Sequence, residues 1–394
     1  MVGVGATPVW LSRALYASDA LSPRKKILVA IFQRGAVDGL NVVVPHGEKR
    51  YYDLRPTIAV PRPDGTPDSA IDLDGFFGLH PSLRALKPVY DSGHMAIVHA
   101  AGSPDPTRSH FDAQDYMESG TPGFKSTSDG WLNRAIPPDG KSPVQAVSLT
   151  PDLPRALRGR NSAVAINNVK DFQVRDPQGA SSFESMYENT GDKFLNGTGR
   201  ETFEAVKLMQ SIQKQGYTPA NGANYPGGRL GQSMKQIAQL VKSDVGLEVA
   251  FTDVQGWDTH HNQGSVEGQL SNRLRDFSAS IAAFWQDMGD DAENVTLVTM
   301  SEFGRTAREN GTGGTDHGHA NAMFVLGGDV KGGKVYGRWP GLDNDQLNQG
   351  RDQALTTDYR QVLAEVVNKT LGAAKYDLVF PGAGLGTERF LRLV

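Results

Sequence analysis

The residue types that could do chemistry cluster in a few short stretches. Ser301, Glu302 and Arg305 follow an apolar run at 295–300, and Asp316, His317 and His319 close the glycine-rich loop behind them. Asp258, His260, His261 and Asn262 fall within five residues after a second apolar run, LEVAFTD at 247–253. Asp38 lies between Gly35 and Gly39 behind a third run, KKILVAIFQ at 25–33. Carboxylates and imidazoles are the oxygen and nitrogen donors of divalent metal sites such as zinc, manganese, iron or calcium. The glycines beside Asp38 let the chain turn sharply and leave the carboxylate at a strand end. A turn-capping Asp has the same surroundings. Asp38, Asp258, Glu302 and His317 are thus expected in one cleft, with His260 and His319 nearby.

One further stretch, GSPDPTRSHFDAQDYMESG at 102–120, combines a nucleophile, a base and a cation. The prolines hold Ser103 to Thr107 extended. Ser109 then opens a helix, with Asp112 three positions on as a partial capping box, and Gly120 closes it. Free N–H groups at such a helix start attract anions. Ser109, ahead of Thr107, is the candidate nucleophile. Arg108 and Arg305 are candidate anion clamps, and His110 is a ligand or a general acid. A plain N-cap accounts for Ser109 equally well.

These residues need a frame. Short apolar runs at 27–32, 95–101, 247–253 and 295–300 read as buried strands. Between them lie helical patterns at 81–90, 200–215, 229–242 and 358–371, and a long one from Ser265 with Leu270, Leu274, Phe277, Ile281 and Phe284 on one face. Apolar strands alternating with amphipathic helices predict one mostly parallel sheet covered on both faces. Ligands of such sheets bind beyond the strands' carboxyl ends, where the candidates sit. Residues 45–80 read as an irregular excursion. Residues 121–226, with possible strands at 146–149 and 163–169 and a helical stretch at 181–188, read as a possible cap or insertion. Residues 25–394 as a whole read as a single α/β domain.

Composition narrows the classes. The 394 residues are 38% hydrophobic and 21% charged, with a net charge of −4 and both signs interspersed. That excludes the electrostatic footprint of a nucleic-acid or membrane-surface binder. With no cysteine there is no catalytic thiol, no thiolate metal site and no disulfide. No apolar run approaches the ~20 residues that span a bilayer. Residues 1–24 resemble the back half of an export signal, ending in a weak small-x-Ala pattern at Ser18-Asp19-Ala20. A short docking element fits them too.

Taken together and in order, RGAVDGLN, RSHFDAQD, GWDTH, SEFGRT and TDHGHAN resemble an uncharacterised bacterial family of exported proteins, a domain of unknown function, over nearly the whole chain from about Lys25. The resemblance implies twin-arginine export to the periplasm or outside. It also implies membership of the alkaline phosphatase-like superfamily, with sulfatases and cofactor-independent phosphoglycerate mutases. From that follow an α/β/α sandwich and one or two divalent metals beside a hydroxyl nucleophile. By position, Asp38 matches the superfamily's first Asp and Asp258 the Asp of its Asp-x-x-x-His segment. Glu302 replaces the Asp of its Asp-His pair, and His317 resembles its late His. The chain departs from the pattern at Asn262 and Phe303, where histidines belong; His260, His261 and His319 are the available substitutes. The implied function is metal-dependent hydrolysis of phosphate or sulfate esters on a small anionic or sugar-ester substrate. A catalytically degenerate binding protein of the same fold and a sugar-phosphate mutase or isomerase are the alternatives.

Overall fold

A computed structural model describes residues 25–138, 142–167 and 193–394, with side chains in the last segment from Glu204 onward. Residues 1–24 and the helical stretch expected at 181–188 lie outside the described residues. A single large sheet organises the fold. Its strands are β1 (Ile27–Arg34), β2 (Met95–Gly102), β3 (Ala146–Ser148), β4 (Val164–Ala165), β5 (Val249–Gln255), β6 (Val295–Met300), β7 (Asn321–Gly327), β8 (Lys334–Tyr336) and β9 (Thr357–Asp358). Among the described residues the order is β8-β2-β7-β6-β1-β5-β3-β4, with β9 also paired to β2. Only β7 runs against its neighbours, β2 and β6; the other pairings are parallel.

The fold is therefore α/β with a mostly parallel sheet, and the four expected strands share it and run one way. The apolar run at 322–326 becomes antiparallel β7, because the chain returns directly from the loop after β6 without a crossover helix. Two of the strands, β3 and β4, come from the stretch read as a possible cap.

Continuous hydrophobicity in β1 follows from burial on both sides. Ile27, Val29 and Ile31 join one core cluster, and Leu28, Ala30 and Phe32 join the other. The first face is covered by three helices: α2 (Lys193–Gln215), α3 (Arg229–Lys242) and α4 (Gln269–Met288). Helix α4 turns Leu270, Leu274, Phe277, Ile281 and Phe284 inward, as its spacing predicts. The other face takes Trp131 and Leu132 and the carboxy-terminal helix α5 (Tyr359–Leu371), through Val362, Val366 and Leu371. Truncating one such residue, Phe277 for example, costs about 3–5 kcal/mol. The excursion at 45–80 contains a short helix, Lys49–Leu54, and two strands of a separate small sheet, Ile71–Asp72 and Gly78–Leu79, the third being Val43–Val44. Helix α1 (His110–Ser119) starts eight residues after β2 ends and stands over the carboxyl edge of the sheet.

Candidate metal centre

Four segments meet beyond the carboxyl ends of β1, β2, β5 and β6. Gly35, after β1, has φ +116°, and a Cβ there would lie 2.8 Å from the amide nitrogen of Asp258. Only glycine lets these two strand ends come so close. Trp257 is fully buried beside Phe277, and its indole N–H donates to the Val254 carbonyl at 3.1 Å. Asp258 is thereby fixed on the cleft side. After β6 the chain folds back on itself. Thr306 N–H donates to the Asp316 carbonyl, Gly318 N–H to Gly304, and Gly304 N–H to His319. This ladder sets His317 opposite Arg305. The loop carrying His260 docks on the glycine-rich loop, with Asn262 and Gln263 N–H groups donating to the Thr312 and Gly313 carbonyls. Asn262 has φ +46°, a left-handed turn that asparagine tolerates.

Three imidazoles converge on Asp258. His260 Nε2 lies 3.0 Å from His317 Nε2 and 3.1 Å from Asp258 Oδ1. His317 Nε2 is 3.3 Å from Asp258 Oδ1, and His110 Nε2 is 3.5 Å from Asp258 Oδ2. Ligating atoms of His110, Asp258 and His317 all lie within 4.8 Å of one another. Each outer ring nitrogen has its own partner. His110 Nδ1 is 2.8 Å from Glu302, His260 Nδ1 is 3.1 Å from Asp316, and His317 Nδ1 is 2.8 Å from the Arg108 carbonyl. These acceptors require Nδ1–H donors, so in the neutral rings every Nε2 presents a lone pair inward.

Two lone pairs 3.0 Å apart repel unless a proton or a metal ion lies between them, and His110 Nε2 is buried without any hydrogen-bond partner. Four ligands about 2 Å from one tetrahedral ion are ~3.3 Å apart, and the contacts of His260 and His317 with each other and with Asp258 Oδ1 lie near that spacing. The residues fit a divalent ion. Outward carboxylate and carbonyl partners are also the usual support of metal-binding histidines. The donor set of imidazoles and one carboxylate suits zinc, manganese or iron. Calcium, named on the sequence alone, prefers six to eight oxygens and fits poorly.

The surrounding charges hold this arrangement. Burial pushes the Glu302 carboxyl upward, but hydrogen bonds from His110, Gln114 and the Gly35 N–H outweigh it and hold the group below its usual range. The Glu302 hydrogen bond in turn raises His110. Burial lowers His317 and favours its neutral form. For Asp258 burial again acts upward and Arg305 prevails, keeping it ionised. The Arg305 side chain is wholly buried and donates to Asp258 at 2.7 Å and to Thr315 Oγ1 at 3.1 Å.

Of the candidates from sequence, Asp258, His260, His317 and His110 come together, with Glu302 behind His110. Asp38 does not join them. It is fully buried and bound in fork geometry by Arg55, at 2.7 and 2.9 Å, and by Gln263 at 2.6 Å. Both of its oxygens are therefore occupied. Among the described residues the His319 side chain makes no hydrogen bond or ion pair with the cluster; it is lowered by burial, with Asp352, Arg108 and Asp105 as its charged neighbours. Arg108 is ion-paired to Asp352 and Arg305 to Asp258, so neither guanidinium is free as a clamp. Ser109 is the N-cap of α1, its hydroxyl accepting from Asp112 N–H at 3.4 Å.

Phe303, where a histidine was expected, stacks on His110 with ring centroids 5.0 Å apart and backs the cluster. Two supports were missed in the sequence. Gln114 donates to Glu302 at 2.9 Å, and its spacing of four from His110 was the available signal, since such residues share a helix face. Asp316, adjacent to His317, was visible but not assigned a part.

No curated protein matches the sequence. Among solved structures, the chain is similar to the PsFucS1 sulfatase from Pseudoalteromonas sp. at 14% identity, covering 84% of this chain and 68% of that one, with a TM-score of 0.36. For the lipoteichoic acid synthase LtaP from Listeria monocytogenes the values are 9%, 77%, 66% and 0.32. For the phosphonate monoester hydrolase of Agrobacterium radiobacter they are 10%, 79%, 70% and 0.29. All three are remote likenesses. The family model described as "Protein of unknown function (DUF1501)" matches residues 25–377, and the chain belongs to that family.

Proposed function

We propose that this chain is a metal-dependent hydrolase of phosphate or sulfate esters, with His110, Asp258, His260 and His317 as the metal ligands. The observation that carries the reading is the pair of inward-facing Nε2 atoms of His260 and His317, 3.0 Å apart beside the Asp258 carboxylate. A bound divalent ion would polarise an ester oxygen and lower the pKa of a hydroxyl beside it. The chain's own residues do the rest. Glu302, Asp316 and the Arg108 carbonyl hold the three rings in one tautomer and orientation. Arg305 offsets the Asp258 charge, so the donor set is close to neutral and a bound cation keeps its pull on an anionic ester. The start of α1, at His110, adds a partial positive charge.

A non-catalytic binding protein is the second reading. It is favoured by one feature: the Ser109 hydroxyl is engaged as a cap. The test combines elemental analysis of the purified chain with assays on 4-nitrophenyl phosphate and 4-nitrophenyl sulfate. Roughly one equivalent of zinc, manganese or iron with turnover of either ester is expected for a four-ligand site. Protein that turns over neither ester supports the binding protein, and metal-free protein sinks the metal-dependent hydrolase. Export belongs to the same proposal. Among the described residues no helix is long and apolar enough to cross a membrane. Fractionation of cells expressing the full chain tests whether it leaves the cytoplasm.

A further inference from the structure

A cavity of about 270 Å³ adjoins the cluster. It is smaller than the ~300–1,000 Å³ of sites for drug-sized ligands, so it suits one group of a substrate. Asp316 is common to both places: its carboxylate holds His260 Nδ1 and also lines the cavity. Arg308 and Arg351 line it as well, with the Asn344 amide and the aliphatic side chains of Leu54 and Leu347.

The charges there are unequally used. Glu309 is committed to the N–H groups of Thr57 and Ile58. Asp352 is already paired with Arg108, with Arg351 Nε 3.5 Å away. Arg351 also donates to the His317 carbonyl at 2.9 Å, tying the cavity wall to a cluster residue. The Arg308 guanidinium is exposed and makes no hydrogen bond or ion pair among the described residues. A cation left over beside two aliphatic walls and the Asn344 amide, whose oxygen has only a long contact from Arg50 at 3.4 Å, matches a ring that carries hydroxyls and one anionic group.

We propose that this cavity is a subsite for a second anionic group, carried on the alcohol part of the ester, with Arg308 as its main contact. A sugar acid is the ligand class. The subsite rests on the cluster being where the ester reacts, yet its binding chemistry needs no metal.

Isothermal titration of the metal-stripped full chain with glucuronate and with glucose tests it. Glucuronate is expected to bind at least tenfold more tightly than glucose. Arg308→Ala should weaken glucuronate about tenfold, and Arg308→Lys should restore part of the loss, as expected of a charge-assisted hydrogen bond. Melting curves check that the variants fold. Equal affinities for glucuronate and glucose, or an Arg308→Ala variant that binds glucuronate as the parent does, overturn the subsite. Separately, if metal-loaded parent protein hydrolyses an aryl ester, glucuronate should compete with it, and failure to compete places the subsite elsewhere. A parent protein that binds glucuronate but turns over no ester defeats the hydrolase reading and leaves a sugar-acid binding site.

Discussion

Asp38 and Asp258 begin as equals. Each follows a central parallel strand, each has a glycine within three residues, and each was a candidate metal ligand. The structure uses them in opposite ways. Around Asp38 the hydrogen bonding is closed: Arg55 directs its five N–H bonds to the two Asp38 oxygens, Asn41 Oδ1 and the carbonyls of Thr306 and Ala307. Around Asp258 it is open. Only Arg305 is a permanent donor, and three imidazole lone pairs face the same space. A buried charge is tolerable when fully paired. An unsaturated cluster of donors is tolerable when a cation fills it. The two aspartates differ in what is left unsatisfied around them, not in residue type.

The two aspartates are linked through one chain of side chains, Asp38–Gln263–Thr315–Arg305–Asp258. The buried ion pair is thus connected by hydrogen bonds to the arginine that pairs with Asp258 in the open site.

The largest expected effect separates the two regions outright. Asp258→Asn or His317→Ala should lose bound metal by elemental analysis, by more than the roughly 10–100-fold in affinity that an outer partner is worth. Any ester turnover should go with it. Asp38→Asn should retain the metal. If Asp38→Asn empties the site while Asp258→Asn keeps it filled, the assignment is reversed.

The next effect is on stability. Arg55→Met leaves Asp38 as an unpaired buried charge, and breaking such a pair costs about 3–5 kcal/mol. Urea unfolding of the purified variant should show that loss, with metal content per folded molecule unchanged. A variant as stable as the parent would mean that the Asp38 charge is held by Gln263 alone.

A smaller effect tests the outer partners. Glu302→Gln keeps the shape but removes the charge that orients His110, so metal affinity should fall about 10–100-fold with little change in melting temperature. Competition with a chelator reads the affinity directly. No change would make Glu302 a structural group only.

The contrast also shows what can be read from a chain of letters. The strands of this sheet were legible because burial on both faces demands unbroken apolar runs such as Ile27–Phe32. The inward stripe of α4 was legible for a similar reason, its period being local. Asp258 and His260 were legible as donors because they sit just past a strand, and His317 because its loop leaves one strand end and returns to the sheet, where chain topology brings residues together. Which donors would be closed off was not legible. Arg55 lies in the stretch 45–80, whose short elements have little periodicity, and its pairing with Asp38 depends on how that stretch folds over the strand ends. The direction of β7 was hidden likewise, since an apolar run has no orientation of its own. His110 was seen with two uses, ligand or acid, and its partner Glu302, which orients the ring for either, was not legible because it comes from a distant strand end.

The smallest effect concerns Ser109, where the two regions' logic can be applied to a hydroxyl. Its oxygen accepts the Asp112 N–H, at the long distance of 3.4 Å, so the cap is weak and the O–H proton is still available to another group. As a cap it is worth on the order of 1 kcal/mol. As a nucleophile it would be worth nearly all of the turnover. Ser109→Ala therefore gives two separable readings from one protein. If the hydroxyl only caps α1, the melting temperature falls by a few degrees, as expected for about 1 kcal/mol in a chain of this size, and ester hydrolysis continues at the parent rate. If it attacks the ester, hydrolysis stops while metal content and the position of His110 are kept. The closed hydrogen bond favours the first outcome, and the adjacency of Ser109 to His110 favours the second. Ser109→Gly sharpens the choice, because glycine is nearly as good a cap as serine, within a few tenths of a kcal/mol. A Ser109→Gly protein as stable as the parent but without turnover assigns the hydroxyl to the chemistry. One that turns over normally assigns it to the helix.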